Sequence, residues 1–152
     1  MNRIHLCFGI LERDGEILMV ASRYANHSHP LWNLPGGRQE PYELLPDTLR
    51  REFREEVSLE IEVGALAYVA ESFDRSTETH FTTTAFRVAS SGEPKLGDGD
   101  VHAVQIEWVL RERVGARLSV DVVRTPLLRH LAGEPAAYYG ASEAGITIEF
   151  LD

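Results

Sequence analysis

Cysteine is all but missing from this sequence: Cys7 stands alone. No intrachain disulfide is available, so packing and hydrogen bonds must hold the fold, and the composition suits a reducing, cytoplasmic compartment. Basic residues are outnumbered, 15 Lys and Arg against 24 Asp and Glu, for a net charge of −9. That balance argues against a partner bound through a broad basic surface, nucleic acid above all. Long apolar runs are absent too; none approaches the ~20 residues that a membrane-crossing helix needs. Met1-Asn2-Arg3-Ile4-His5 leads directly into a strand-like run, so no secretory leader is expected. Repeats and low-complexity tracts are lacking. What is left is 152 residues, 43% hydrophobic and 26% charged, enough for one domain over 1–152 with a real core.

The pattern along the chain predicts an α/β fold with a mixed sheet. Residues 4–11 and 16–21 are apolar and β-rich around an Asp14-Gly15 turn, which suggests a hairpin. Cys7 lies inside the first of these strands and is expected to be packed and inert. A polar, proline-bearing loop follows at 24–30, with Arg23 at its entry and His27 and His29 inside it. The histidines lack ligand-like spacing and are expected to face solvent. Residues 60–71, 80–89 and 101–109 read as further strands. A polar Gly-rich loop occupies 90–100, and the segment 72–78 links two strands. Phe73 and Phe81 are expected in the core rather than against a base. Residues 120–131 suggest an amphipathic helix covering the sheet, kinked or restarted at Pro126. The tail carries Tyr138-Tyr139, expected to pack at the surface, and a β-like stretch at 145–150 that suits either the sheet or a second subunit of a homodimer.

The most informative stretch is 36–59. Pro46 suits a first helical turn, where its missing N–H would have no partner anyway. Leu45, Leu49, Phe53 and Val57 recur every fourth residue and mark a core-facing stripe. Glu52, Glu55 and Glu56, at i, i+3 and i+4, share another face. Like charges so placed destabilise a helix by ~0.2–0.5 kcal/mol per pair. Two readings follow: a solvated face interleaved with Arg50, Arg51 and Arg54, or a site for a hard divalent cation such as Mg²⁺, which takes oxygen ligands and keeps waters and phosphates in its shell. Gly36 and Gly37 let backbone approach a ligand closely, and Arg38 and Arg23 are candidate phosphate clamps.

Gly37, Glu43, Arg51, Glu52, Phe53, Glu55, Glu56 and Leu59 reproduce the Nudix box: Gly, five residues, Glu, seven residues, Arg-Glu, an aliphatic, any residue, Glu-Glu, any residue, Gly, an aliphatic. With the lead-in Trp32-Asn33-Leu34-Pro35-Gly36-Gly37, the chain resembles the MutT-like Nudix hydrolases, with the box at 37–59. Phe53 is aromatic where an aliphatic is commoner, and Ser58 stands where the family has Gly, a change expected in the helix cap rather than in a metal ligand.

The resemblance implies an α/β/α sandwich. It also implies Mg²⁺- or Mn²⁺-dependent hydrolysis of a diphosphate linkage in a small nucleotide: a nucleoside triphosphate, ADP-ribose or a nucleotide sugar. Glu52, Glu55 and Glu56 would hold the metal together with the Gly36 carbonyl. Arg23 and Arg38 would bind substrate, and a Glu43–Arg51 bridge would fix the loop on the helix. Some members bind nucleotides without cleaving them, which keeps a sensor as the alternative. Many relatives place an acid shortly before a tryptophan equivalent to Trp108; here His102 and Gln105 stand nearest. The general base therefore stays open among Asp98, Asp100, His102 and a box glutamate. Residues 74–77 show neither the proline of ADP-ribose hydrolases nor the tyrosine of dinucleoside polyphosphate hydrolases.

Overall fold

The computed structural model describes residues 1–98 and 102–151. Strand β1 (Asn2–Arg13) turns through Asp14-Gly15 into β2 (Glu16–Ser22). Short strands β3 (Leu31–Asn33) and β4 (Gly36–Arg38) precede helix α1 (Leu45–Val57). Long strands β5 (Glu62–Asp74) and β6 (Thr79–Ala89) form a hairpin, followed by β7 (Ala103–Leu110), a 3₁₀ turn at Arg111–Arg113, helices α2 (Val114–Arg117) and α3 (Asp121–Leu131), and β8 (Ala137–Gly140). The sheet is mixed: β1 runs parallel to β6, β8 parallel to β5, and the other pairs are antiparallel.

The expected hairpin of β1 and β2 exists only at its turn. Its pairs are Glu12 with Ile17 and Arg13 with Glu16. Beyond them the strands part. β1 pairs with β6 from Asn2 to Leu11, and β2 pairs with β7 from Glu16 to Ser22. Both strands bury both of their faces, so successive residues feed two cores. Ile10, Ile17 and Met19 join one cluster, and Cys7, Leu11, Leu18 and Val20 the other. That is why these strands read as unbroken apolar runs.

Helix α1 covers the second cluster. Leu49, Phe53 and Val57 are wholly buried there, with Leu45 partly buried. Burying such side chains contributes about 1.5–3 kcal/mol each. Gly9 on β1 explains the aromatic at 53. A Cβ at Gly9 would lie 2.5 Å from Cε1 of Phe53, so the missing side chain makes room for the ring. Cys7 is buried beneath the same helix, and burial pushes its thiol up to about 12. Helix α3 closes the first cluster through Leu127, Val123 and Leu131, giving the expected α/β/α layering. Pro126 lies inside this helix, which runs as one element through it, while Leu128 is exposed rather than facing the core.

Three further expectations change. The segment 145–150 is not a strand; the late strand is β8, on the free edge of β5. Gly64 does not bound a strand but lies inside β5, at an irregularity in its pairing with β6. Val101, expected to open β7, lies outside the described residues.

Ser58 ends α1 in the left-handed conformation, φ 57° and ψ 35°. The Phe53 carbonyl accepts the N–H groups of both Ser58 and Leu59. A side chain in this conformation costs roughly 1 kcal/mol. Ser58→Gly is therefore expected to stabilise the fold by roughly 0.5–1 kcal/mol, a rise of about 1–4 °C in thermal melting. An unchanged or lower midpoint would show that the strain is relieved elsewhere.

Candidate active site

The loop from β4 into α1 is built around Arg51. Its Nε donates to Glu43 Oε2 at 2.8 Å and its Nη2 to Glu43 Oε1 at 3.1 Å, a two-pronged pair. Nη2 also donates to the Arg38 carbonyl at 2.9 Å. Nη1 reaches Glu52 Oε1 at 2.9 Å and Glu55 Oε2 at 3.3 Å. Glu43 Oε1 further accepts the Glu40 N–H at 2.9 Å and the Thr48 hydroxyl at 3.0 Å. The Arg51 guanidinium, foremost among these partners, holds the Glu43 carboxyl down at about 2. The expected Glu43–Arg51 bridge is thus present, and it pins the loop to the first two turns of the helix.

The glycines admit the glutamates. Gly36 has φ +150°, and a Cβ there would lie 2.1 Å from the Cys7 carbonyl oxygen. Only glycine fits. Its N–H donates to Glu56 Oε1 at 2.8 Å, and Glu56 is only 5% exposed. A Cβ at Gly37 would lie 2.5 Å from Glu52 Oε1, so the absent side chain leaves space for that carboxylate. Glu55 is the most open of the three, its side chain 46% exposed. Among the described residues no three Asp, Glu, His or Cys side chains are gathered into a ready-made metal cage. Arg51 instead bridges Glu52 and Glu55.

These groups border a cleft of about 680 Å³. Gly36, Gly37, Arg38, Arg51, Glu52, Glu55, Glu56 and Arg23 all line it, whereas Glu43 lies outside the lining. Every residue predicted to touch metal or substrate therefore lines the same cleft. Of the candidate bases outside the box, His102 lines the cleft and its carbonyl accepts the Arg23 N–H at 2.9 Å. Asp98 is exposed and not in the lining, and Asp100 lies outside the described residues. Phe81 is buried yet also lines the cleft, while Phe73 stacks on His80 with centroids 4.6 Å apart. Tyr139 packs edge-on to Tyr68, and the exposed Tyr138 donates to Glu71 at 2.8 Å. His29 is exposed as expected, but His27 is partly buried and its Nε2 bonds the Thr147 carbonyl at 2.7 Å.

Sequence reasoning missed the wall made by Ile146, Ile148 and Phe150. Their alternation was the available signal; it reports extended backbone, and here that backbone lines a cleft rather than joining a sheet.

The family model of the NUDIX domain matches residues 2–131. The chain belongs to the Nudix family. The match takes in the Glu43–Arg51 loop, the glutamate face and both covering helices. Two curated proteins are similar over part of the chain. A CTP pyrophosphohydrolase of Escherichia coli is 40% identical over 70 residues, 46% of this chain and 50% of that protein. An ADP-ribose pyrophosphatase of Methanocaldococcus jannaschii is 35% identical over 91 residues, 59% of this chain and 53% of that protein. The chain thus spans about half the length of the curated relatives it matches. Among solved structures, that of the ORF135 protein of E. coli is 27% identical with a TM-score of 0.71, covering 88% of this chain and 91% of that one. A NUDIX hydrolase from Nitrosomonas europaea, 18% identical, superposes at 0.77 over 89% and 93%, which establishes the shared Nudix fold. Among the described residues, no helix is long and apolar enough to cross a membrane.

Proposed function

We propose that this Nudix chain, as one domain over 1–152, hydrolyses a diphosphate linkage in a small nucleotide with Mg²⁺ or Mn²⁺ as cofactor. The observation that carries the reading is that Glu52, Glu55 and Glu56 line the same cleft as Gly36 and two arginines, Arg23 and Arg38. The donors are carboxylate and carbonyl oxygens, the set a hard cation selects. Glu56 is already oriented by the Gly36 N–H, and Glu55 is exposed enough to turn inward. When bound, the cation would supply a Lewis acid for the phosphoryl oxygens and for water. Arg51 keeps Glu52 and the Arg38 carbonyl in place. Arg23 and Arg38 offer N–H donors to the outer phosphates as charge shifts onto the leaving group. His102 and the box glutamates remain as proton acceptors on the cleft wall. A cytoplasmic location is part of the proposal, supported by the single, buried and unpaired thiol of Cys7.

The names of the two curated relatives put CTP and ADP-ribose first in a substrate panel, followed by other nucleoside triphosphates and nucleotide sugars. With Mg²⁺ or Mn²⁺, at least one compound is expected to yield a nucleoside monophosphate, with pyrophosphate or a sugar phosphate as coproduct. EDTA should abolish release. Saturable binding with no product from any compound would replace this reading by a nucleotide sensor.

A further inference from the structure

The family match ends at Leu131, yet the chain beyond it returns to the cleft. After β8, an arm formed by residues 141–151 runs along the cleft from β5 to the 24–30 loop. One anchor is on β5, where the Ala144 N–H donates to the Phe73 carbonyl at 2.8 Å. The other is the 24–30 loop. The Thr147 carbonyl accepts from Asn26 Nδ2 at 2.6 Å and from His27 Nε2 at 2.7 Å. Around Glu149 the bonds are reciprocal: its carbonyl takes the Ala25 N–H at 2.7 Å, and its own N–H donates to Asn26 Oδ1 at 2.7 Å. Between and beside these anchors Ile146, Ile148 and Phe150 line the cleft. The Arg38 guanidinium carbon sits 4.0 Å from the centroid of the Phe150 ring, which itself lies edge-on to Tyr24 at 5.9 Å. A guanidinium resting on a ring face keeps the N–H donors along its own edges available to phosphate oxygens.

We propose that this arm is a substrate-positioning element: it closes the cleft over a nucleoside diphosphate group, and Phe150 holds Arg38 ready for the outer phosphate. The substrate class rests on the hydrolase reading; the arm's role is one of binding and does not require turnover. The test uses the full chain with α,β-methylene analogues of ADP and CTP as probes, in the presence of Mg²⁺, by calorimetry. Turnover of CTP and ADP-ribose is measured alongside. Phe150→Ala is expected to weaken analogue binding about tenfold and raise KM by a similar factor, with kcat changed less than about threefold. Phe150→Tyr, which keeps a ring under Arg38, should restore both. Asn26→Ala, which touches only the anchor, should speed amide hydrogen exchange at Glu149, and bound analogue should slow that exchange in the wild type. Wild-type affinity and KM in Phe150→Ala, or exchange at Glu149 indifferent to analogue, would overturn the arm's role. Binding that follows these expectations without any turnover would count against the hydrolase reading and in favour of the arm. A wild-type chain that binds neither analogue would overturn the arm's role, and only one that also releases no product from any compound of the panel would overturn the hydrolase reading.

Discussion

Glu56→Gln is expected to lower cation-dependent turnover by about 10²–10⁴-fold, the range a positioned charged or proton-transferring group supplies. The substitution is chosen because the site accommodates it. Glu56 is almost wholly buried, and its Oε1 accepts the Gly36 N–H. A glutamine oxygen accepts the same bond in the same volume, so the loop keeps its path while the charge is lost. Product release from the best compound of the panel measures the effect. Thermal melting controls for the fold and should move by no more than ~3 °C. Turnover near the wild-type rate would remove Glu56 from the chemistry.

Arg51→Ala is expected to act first on stability. Arg51 is 22% exposed, Glu43 16% and Glu52 14%. Removing the guanidinium strands both carboxylates beside each other with their main countercharge gone. Breaking a buried pair in this way costs about 3–5 kcal/mol, and partial exposure places this one at roughly 3 kcal/mol, a fall of roughly 10 °C in melting temperature for a chain of this size. Arg51→Lys should recover only part of it, because an ammonium cannot span both oxygens of Glu43. The pH dependence gives an independent check. Glu43 is held at about 2 in the folded chain, chiefly by Arg51, against ~4.3 when unfolded. Its folded value is depressed, so its contribution is complete above ~4.3 and is lost as pH falls from there toward the folded value. The stability gap between wild type and Arg51→Ala should therefore narrow over that acid interval. A gap that stays constant would assign the loss to packing alone.

The parts of the site that sequence made legible are those whose contacts are local. Pro46 and the four-residue stripe of Leu45, Leu49, Phe53 and Val57 lie within a few helical turns of one another, so periodicity places them directly, whereas the Glu43–Arg51 pair was legible only through the resemblance to the Nudix box. The parts it obscured depend on distant partners. Strand β1 pairs along its length with β6 rather than with β2, because two strands buried on both faces carry no mark of which neighbour each will choose. Residues 146, 148 and 150 alternate as a strand does, yet their neighbouring backbone groups bond to Ala25 and Asn26, a loop more than a hundred residues earlier in the chain. Strand β8 is four residues long and mostly exposed, too short for its pattern to stand out. Gly9 explains Phe53 only after both are seen in contact.

The lone thiol under the first helix offers a built-in clock. Alkylating reagents attack the thiolate, and Cys7 is fully shielded, its proton firmly held and its sulfur 3.8 Å from the Leu45 carbonyl. Modification at neutral pH must then wait for the helix to lift away from the strand beneath it. The rate of labelling would time that opening in the unmutated chain, with no probe added.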